Sequence, residues 1–439
     1  MDELIFLLYS LYHKCPVIST DSRKITPGCL FFGLKGEHVD GSDYGARAVD
    51  LGASVAIVRP GTYAEKQGVI VVEEPLEVLQ QLAQHHRNQL KIPVLAITGS
   101  NGKTTTKELI FGVLSSTFLV RATQGNLNNH IGVPLTILSI KSTDQVAIVE
   151  MGANHPGEIN LLCRLAHPTH GIVTNIGKAH LEGFGGIEGV KRAKSELYDS
   201  IRKSGGVAFV NRNEAFLTEL SDRVSKKIFY GFDLQTQYSV DHYRFTSNQW
   251  SSGCSLSFRD AQDNVWIATS ALFGEFNLAN IATAIAIGLY FEIEGSKICD
   301  AISSYIPDNN RAQYVTLDSN TFILDAYNAN PTSMISAIKS FASIKHPCKF
   351  MILGAMMELG EYSASEHLEI ARLAAGAKET TTIFIGVQFK IAADYFHMQW
   401  YAQVEDLIRA LSHDLPEEAL ILIKGSRAMH LESLLTAFQ

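Results

Sequence analysis

Two glycines, a lysine and a pair of threonines crowd into Thr98-Gly99-Ser100-Asn101-Gly102-Lys103-Thr104-Thr105. Residues of these types at this spacing can hold a polyanion. The apolar run Pro93-Val94-Leu95-Ala96-Ile97 leads into the glycines, and Lys107 to Leu114 beyond them has helical spacing. A buried strand, a tight turn and a helix start gather backbone N–H groups at one point, where the helix dipole adds to their pull on phosphate. Lys103 adds a mobile positive charge, and the Thr104 hydroxyl suits a magnesium ion. The pattern predicts a nucleoside triphosphate site built from Gly99, Asn101, Gly102, Lys103, Thr104 and Thr105. The plainer alternative is a strand-to-helix turn that happens to carry lysine. Only Ser100 and Asn101 separate Gly99 from Gly102, a shorter spacing than in the common phosphate loop.

Other polar groups stand where a strand should end. Glu150 closes Val146-Ala147-Ile148-Val149, at the edge where open α/β sheets bind ligands; it either ligates a cation or caps a helix. His180 follows Gly171-Ile172-Val173-Thr174 in the same way, as a candidate for a second cation or an ordinary polar residue. Lys194 lies in a helical stretch, where a lysine usually faces solvent. Asn277 and Asn280 lie three apart on one helical face; their amides suit a purine edge, and capping is the competing account of Asn277. Arg311 stands just past a hinge, placed to reach phosphates from a moving domain. Asp325, Tyr327 and Asn328 close another strand with a polar loop. Lys424-Gly425-Ser426-Arg427 closes the last strand ahead of an expected helix, which suits a carboxylate or phosphate.

These residues need a scaffold of about three domains, given 439 residues. Residues 1–90 read as a small α/β unit with strands at Val55–Val58 and Val69–Val72 and a helix from Leu76 to Leu90. Residues 91–306 alternate buried strands with helical patterns, which implies a mainly parallel sheet covered on both faces. Residues 226–275 interrupt this with polar-apolar alternation, an antiparallel edge or hairpin. Pro307-Asp308-Asn309-Asn310 is a hinge. Residues 307–439 carry strands at Phe350–Leu353, Thr382–Ile385 and Leu420–Ile423 separated by helices, a Rossmann-like α/β unit.

Composition narrows the class. A hydrophobic fraction of 46% and a mean hydropathy near zero describe a soluble globular protein. A net charge of −8 argues against nucleic-acid binding as the main role. Met1-Asp2-Glu3 opens with acids ahead of a short apolar run, so a core-packing helix with Leu4, Leu7, Leu8 and Leu11 on one face is expected rather than a signal peptide. No stretch reaches the length of a membrane span. The six cysteines (15, 29, 163, 254, 299 and 348) lack metal-like or redox-like spacing, which fits reduced thiols in a cytoplasmic protein. No interaction segment stands out, and a monomer is expected.

In their order along the chain, these motifs resemble the Mur ligases, the ATP-dependent amide-forming family of bacterial cell-wall synthesis, whose phosphate loop has this short Thr-Gly-x-x-Gly-Lys-Thr-Thr form. The resemblance covers nearly the whole chain. Three segments point to the branch that joins D-alanyl-D-alanine to UDP-N-acetylmuramoyl-tripeptide. They are Thr20-Asp21-Ser22-Arg23 with Phe31 to Gly36 and Asp40-Gly41, then Thr123 to Pro134, rich in asparagine, and Tyr327-Asn328-Ala329-Asn330-Pro331. The resemblance implies that Lys103 and Thr104 hold the ATP phosphates and a first Mg2+, with Glu150 completing that metal site. It implies that His180 belongs to a second Mg2+ and that Lys194 forms a carbamate able to organise that ion. Asn277, Asn280, Arg311 and Asp325 then face the nucleotide. Ser22 and Arg23 fall in the UDP segment, Asn126, Asn128 and Asn129 line the muramoyl-peptide path, and Tyr327 and Asn328 lie near the nucleotide or the incoming dipeptide.

The chain departs from the family pattern at Ala355, where an acid is often found, and at Ser42, where a histidine is common. The alternatives are a sister ligase adding a single amino acid and a folylpolyglutamate synthase-like enzyme, which generally lacks the UDP-type unit. From another class, a nucleotide-dependent regulatory protein without catalysis would not need Lys103, Glu150, Lys194 and His180 together.

Overall fold

The computed structural model describes residues 2–61, 66–233, 243–250, 253–411 and 416–438. It is an α/β protein of three units, each built on its own sheet. The first is a parallel sheet of β1 (Ile18–Ser19), β2 (Leu30–Phe32), β3 (Val55–Val58) and β4 (Val69–Val71), in that order. Phe31 and Phe32 of the UDP-type segment are core residues here. The N-terminal helix, Asp2–Lys14, buries Ile5, Leu8 and Tyr12 and leaves Leu7 half exposed. Leu8 is buried and Leu4 and Leu11 pack partly buried against the core as the leucine face expects, while Leu7 turns to solvent and Tyr12 bonds through its hydroxyl to the Leu138 carbonyl.

The central sheet holds β5 (Val94–Thr98), β6 (Val120–Ala122), β7 (Val146–Glu150), β8 (His170–Val173), β9 (Val207–Asn211), β10 (Lys226–Asp233), β11 (Tyr243–Trp250), β12 (Gly253–Arg259) and β13 (Val265–Ser270). Its order is β13-β12-β11-β10-β9-β8-β5-β7-β6. From β6 to β10 the strands run parallel, and β11, β12 and β13 pair antiparallel at the far edge. The antiparallel edge lies within the stretch expected from sequence, although β10 and β11 are themselves parallel.

Why the central strands read as unbroken apolar runs follows from their two covered faces. Along β5, Val94 and Ala96 join one apolar cluster, while Leu95 and Ile97 join a second on the other face. Ala147 and Val149 divide from Val146 and Ile148 in the same way along β7. The helix Ile187–Ser204 covers the first face, its Leu197 packed over Gly171 of β8, where glycine lets helix and sheet approach.

The third unit contains β14 (Gln313–Leu317), β15 (Asn320–Asp325), β16 (Lys349–Gly354), β17 (Thr381–Ile385), β18 (Gln399–Tyr401) and β19 (Leu420–Lys424). Their order is β14-β15-β19-β16-β17-β18, parallel except for the antiparallel β14 edge. The helix expected after β19 is instead two 3-10 segments, Arg427–Met429 and Leu431–Phe438. Helix Pro331–Ser343 begins with a full capping box: Asn330 Oδ1 accepts from the Ser333 N–H and Ser333 Oγ accepts from the Asn330 N–H. One apolar cluster runs from the first unit through the central one into Ile323, Met334 and Met351 of the third. Among the described residues, no helix is long and apolar enough to cross a membrane.

Leu197 has no exposed surface. Leu197→Ala is expected to cost about 2–5 kcal/mol through lost transfer energy and the cavity left behind, read as a lower midpoint in urea unfolding followed by circular dichroism.

Candidate active site between two sheet edges

The carboxyl ends of the central and C-terminal strands face each other across a cavity of about 840 Å3. The central sheet contributes the loop after β5, Glu150 at the end of β7, Asn175 and Ile176 after β8, and Asn211 at the end of β9. Across from them stand Arg311, Asp325, Tyr327, Asn328, Asn330 and Lys424. A parallel sheet leaves its ligand-facing loops at this edge, and here two such edges share one space.

The loop after β5 is built as its glycines require. Gly99 has φ +139°, and a Cβ there would lie 2.0 Å from the Thr174 hydroxyl. Gly102 has φ +77°, and its Cβ would lie 2.5 Å from Asn280 Oδ1. Asn101 is fixed by bonds from its N–H to Asn175 Oδ1 (2.9 Å) and to its carbonyl from the Thr174 hydroxyl (2.6 Å). Helix Lys103–Ser115 begins four residues earlier than the apolar spacing indicates, and no side chain caps it. Its first N–H groups lack intrahelical acceptors, and Gly102, Lys103, Thr104 and Thr105 all line the cavity.

Lys103 Nζ folds back onto the Gly99 carbonyl at 2.8 Å. Burial lowers its pKa; Glu150 opposes that shift and Arg311 adds to it. Glu150 is 1% exposed. Its Oε1 accepts from the Thr104 hydroxyl at 3.2 Å and from Asn128 Nδ2 at 2.8 Å. Its Oε2 has no hydrogen-bond partner and lies 3.9 Å from the buried Lys107 ammonium. An unpartnered, buried carboxylate oxygen beside a threonine hydroxyl is a donor set for a hard cation. Mg2+ suits it, because that ion takes few protein oxygens and fills its shell with water and phosphate.

A second cation finds less. His180, in the left-handed region at φ 51°, bonds through Nδ1 to Glu358 of the C-terminal unit. The Lys194 Nζ lies 5.4 Å from the Phe184 ring centre. Among the described residues, no three His, Cys, Asp or Glu groups come together to hold a metal. Burial, reinforced by the Lys103 charge, pushes the Lys194 pKa down to about 7, against the pull of Glu158 and Glu196.

Several expected contacts turn inward. Asn280 Oδ1 accepts from the Thr106 hydroxyl (2.9 Å), and Asn280 Nδ2 donates to Asn277 Oδ1 (2.7 Å), whose own Nδ2 donates to the Phe273 carbonyl (2.8 Å). These two asparagines brace the phosphate loop while lining the cavity. Asn128 positions Glu150, and Asn129 Oδ1 accepts from the N–H groups of Ile131 and Gly132 at the start of the next helix. Asn126 is exposed and outside the cavity. Ser22 and Arg23 lie on the first unit, away from the cavity, with the Arg23 guanidinium on Asp21 at 2.9 Å. Ser42 is buried, donating to the Gly33 carbonyl and accepting from the Arg59 N–H, each at 3.0 Å. Ala355 is fully buried, and its carbonyl accepts from the Ser426 N–H; its side chain reaches neither cavity.

Sequence reasoning missed Asn175, Asn211, Glu214 and Asn330 as cavity residues. Lys424 was legible as part of its strand-end motif. In the structure it is register-paired with Asp325 and bonds it at 2.6 Å. Asn330 carried a capping signal that concealed its second bond, from Nδ2 to Asn101 Oδ1 of the phosphate loop at 2.7 Å. With Lys178–Glu366 (2.5 Å) and His180–Glu358, that bond joins the central and C-terminal units. A second cavity of about 150 Å3 opens beside this junction, lined by His180, Asn328, Glu358, Ser426 and Arg427 among others.

Family models match three successive stretches of the chain: "Mur ligase family, catalytic domain" at residues 15–87, "Mur ligase middle domain" at 97–288, and "Mur ligase, glutamate ligase domain" at 310–427. The chain belongs to the Mur ligase family. The UDP-N-acetylmuramoyl-tripeptide–D-alanyl-D-alanine ligase of Bacillus subtilis is 32% identical over 95% of this chain and 92% of its own length. The ligase of that name from Escherichia coli is 32% identical, with coverages of 96% and 93%. The crystal structure of a MurF from Acinetobacter baumannii superimposes with a TM-score of 0.85 at 32% identity, covering 96% of this chain and 92% of that one. Within the family, the chain is of the MurF type.

Gly102→Ala is expected to weaken ATP binding about tenfold or more, through left-handed strain and displacement of Asn280, measured by titration calorimetry. For Lys194, the folded-state pKa lies below the unfolded value, so the folded protein binds fewer protons between about pH 7 and pH 10.5. Stability therefore rises with pH across that window. Lys194→Met is expected to flatten the rise in Tm and to raise Tm most at its lower end.

Proposed function

We propose that this protein uses ATP to join D-alanyl-D-alanine to UDP-N-acetylmuramoyl-tripeptide, releasing ADP and phosphate, as a cytoplasmic monomer. The observation that carries this reading is the shared cavity. It sets a phosphate-binding helix start beside a buried carboxylate, and a zwitterion-sized annex opens next to it.

A carboxylate is a poor acyl donor, so the tripeptide's terminal carboxylate oxygen first attacks the γ-phosphorus and ADP leaves. The dipeptide amine then attacks the acyl carbon, the carbon–oxygen bond to phosphate breaks, and the amine's excess protons pass to phosphate and solvent. Lys103, released from the Gly99 carbonyl, neutralises the γ-phosphate oxygens as charge moves onto them. The N–H groups of Gly102 to Thr105 hold the phosphates from the helix end. Thr104 and Glu150 would hold Mg2+, which would supply Lewis-acid charge to phosphate oxygens when bound. Arg311 approaches the phosphates from the C-terminal unit and Asp325, tied to Lys424, faces the nucleotide. The smaller cavity takes the dipeptide, with Arg427 and Ser426 toward its carboxylate and Glu358 toward its ammonium. The contacts between the central and C-terminal units exclude water that would otherwise hydrolyse the acyl phosphate.

Asn128 serves the muramoyl-peptide path by fixing Glu150, and Ser22 and Arg23 serve the UDP end from the first unit. A lowered Lys194 pKa favours the neutral amine that reacts with carbon dioxide, which supports carbamate formation there.

The test is phosphate release with the UDP-muramoyl-tripeptide and a panel of amino acids and dipeptides. Wild-type protein is expected to release phosphate only when both the tripeptide and D-alanyl-D-alanine are present, and Lys103→Ala is expected to abolish that release. Undiminished ligation by the variant overturns the assignment.

A further inference from the structure

The Tyr327 ring lies close to two arginines that line different cavities. The Arg311 guanidinium carbon lies 3.7 Å from the centre of its ring, and that of Arg427 lies 5.3 Å from the same centre. Arg311 lines the larger cavity and Arg427 the smaller one. We infer that Tyr327 is a positioning residue for both substrates: its ring holds Arg311 toward the nucleotide phosphates and Arg427 toward the carboxylate of the incoming dipeptide. This inference rests on the reaction proposed above.

The backbone makes the ring a fixed point. Tyr327 follows β15 by two residues, and its N–H donates to the Asn310 carbonyl at 3.2 Å. Asn310 and Ala312, on either side of Arg311, both sit in the left-handed region, at φ 57° and 53°. Non-glycine residues hold that conformation only where neighbours impose it. Here the Ala312 N–H donates to Asp325 Oδ1 and the Asn310 N–H to Gln313 Oε1, each at 3.3 Å. Arg311 is therefore mounted on a pinned turn with its guanidinium on the tyrosine ring.

No hydrogen bond or ion pair to Arg427 is made by its side chain among the described residues, so the ring is its evident support. Two cations would repel across this gap. An aromatic face attracts each of them, with a gain that grows as water is excluded. Asn328, the next residue, lines both cavities, so the Tyr327-Asn328 corner is the wall between them. Because the aromatic ring carries the effect and not the hydroxyl, phenylalanine should serve equally well.

The experiment compares wild type, Tyr327→Phe and Tyr327→Leu. Steady-state phosphate release gives KM for ATP and for D-alanyl-D-alanine, calorimetry gives the ATP Kd, and Tm is measured alongside. Tyr327→Phe is expected to keep all the binding parameters. Tyr327→Leu is expected to raise both KM values and the ATP Kd by about three- to tenfold, the range of one to two weak cation–π contacts. Unchanged KM values with a lowered Tm would assign the ring to packing alone and overturn the inference, as would a rise confined to one substrate. If wild type itself fails to release phosphate with the tripeptide and dipeptide, the underlying reaction is wrong. The ATP Kd of the two variants then still tests the Arg311 arm, and an unchanged value for Tyr327→Leu overturns it.

Discussion

A carboxylate taken out of water at the end of a parallel strand loses several kcal/mol of hydration, and the protein around Glu150 is arranged to meet that cost. Thr104 and Asn128 each donate to one oxygen, and the buried Lys107 ammonium stands off the other. These neighbours come from two parts of the site, Thr104 and Lys107 from one helix and Asn128 from another segment. Thr104 is the second residue of the phosphate-loop helix, Asn128 comes from the asparagine-rich segment, and Lys107 reaches the Thr123 carbonyl at 2.7 Å. Glu150 therefore fixes the phosphate-loop helix and the asparagine-rich segment relative to one another. Its Oε2 is the oxygen left without a donor.

The second constraint is that the active site is completed by two sheets rather than one. Neither the central edge nor the C-terminal edge carries the full set of groups, and polar bonds across the gap hold the two together. Asn101–Asn330, Lys178–Glu366 and His180–Glu358 place residues far apart in sequence within one hydrogen-bonded seam. Apolar contact alone would join the units without fixing their register; directional bonds do both.

The strands and their order of use were legible in the sequence because fully covered parallel strands leave long apolar runs, and their last residues announce polar chemistry. Lys103, Thr104 and Glu150 could be read for the same reason. Partnerships were harder. Asn277 and Asn280 carry the right chemistry for a purine edge, yet they bond to each other and to Thr106, because a glycine at 102 brings the neighbouring helix within reach. His180 lies beside Glu358 only through tertiary packing, and nothing in the local spacing foretells it. Asn330 caps its own helix, and its amide NH2 also finds Asn101 across the domain gap, a contact no single window of sequence contains.

Two of the helices that begin at the edge of this cavity end differently there. Helix Pro331–Ser343 closes its own end through Asn330 and Ser333, whereas helix Lys103–Ser115 leaves its first amides open beyond Gly102. Self-closure satisfies the first amides of helix Pro331–Ser343 from within, so of this pair of helix starts only the phosphate loop leaves its amides to an outside partner.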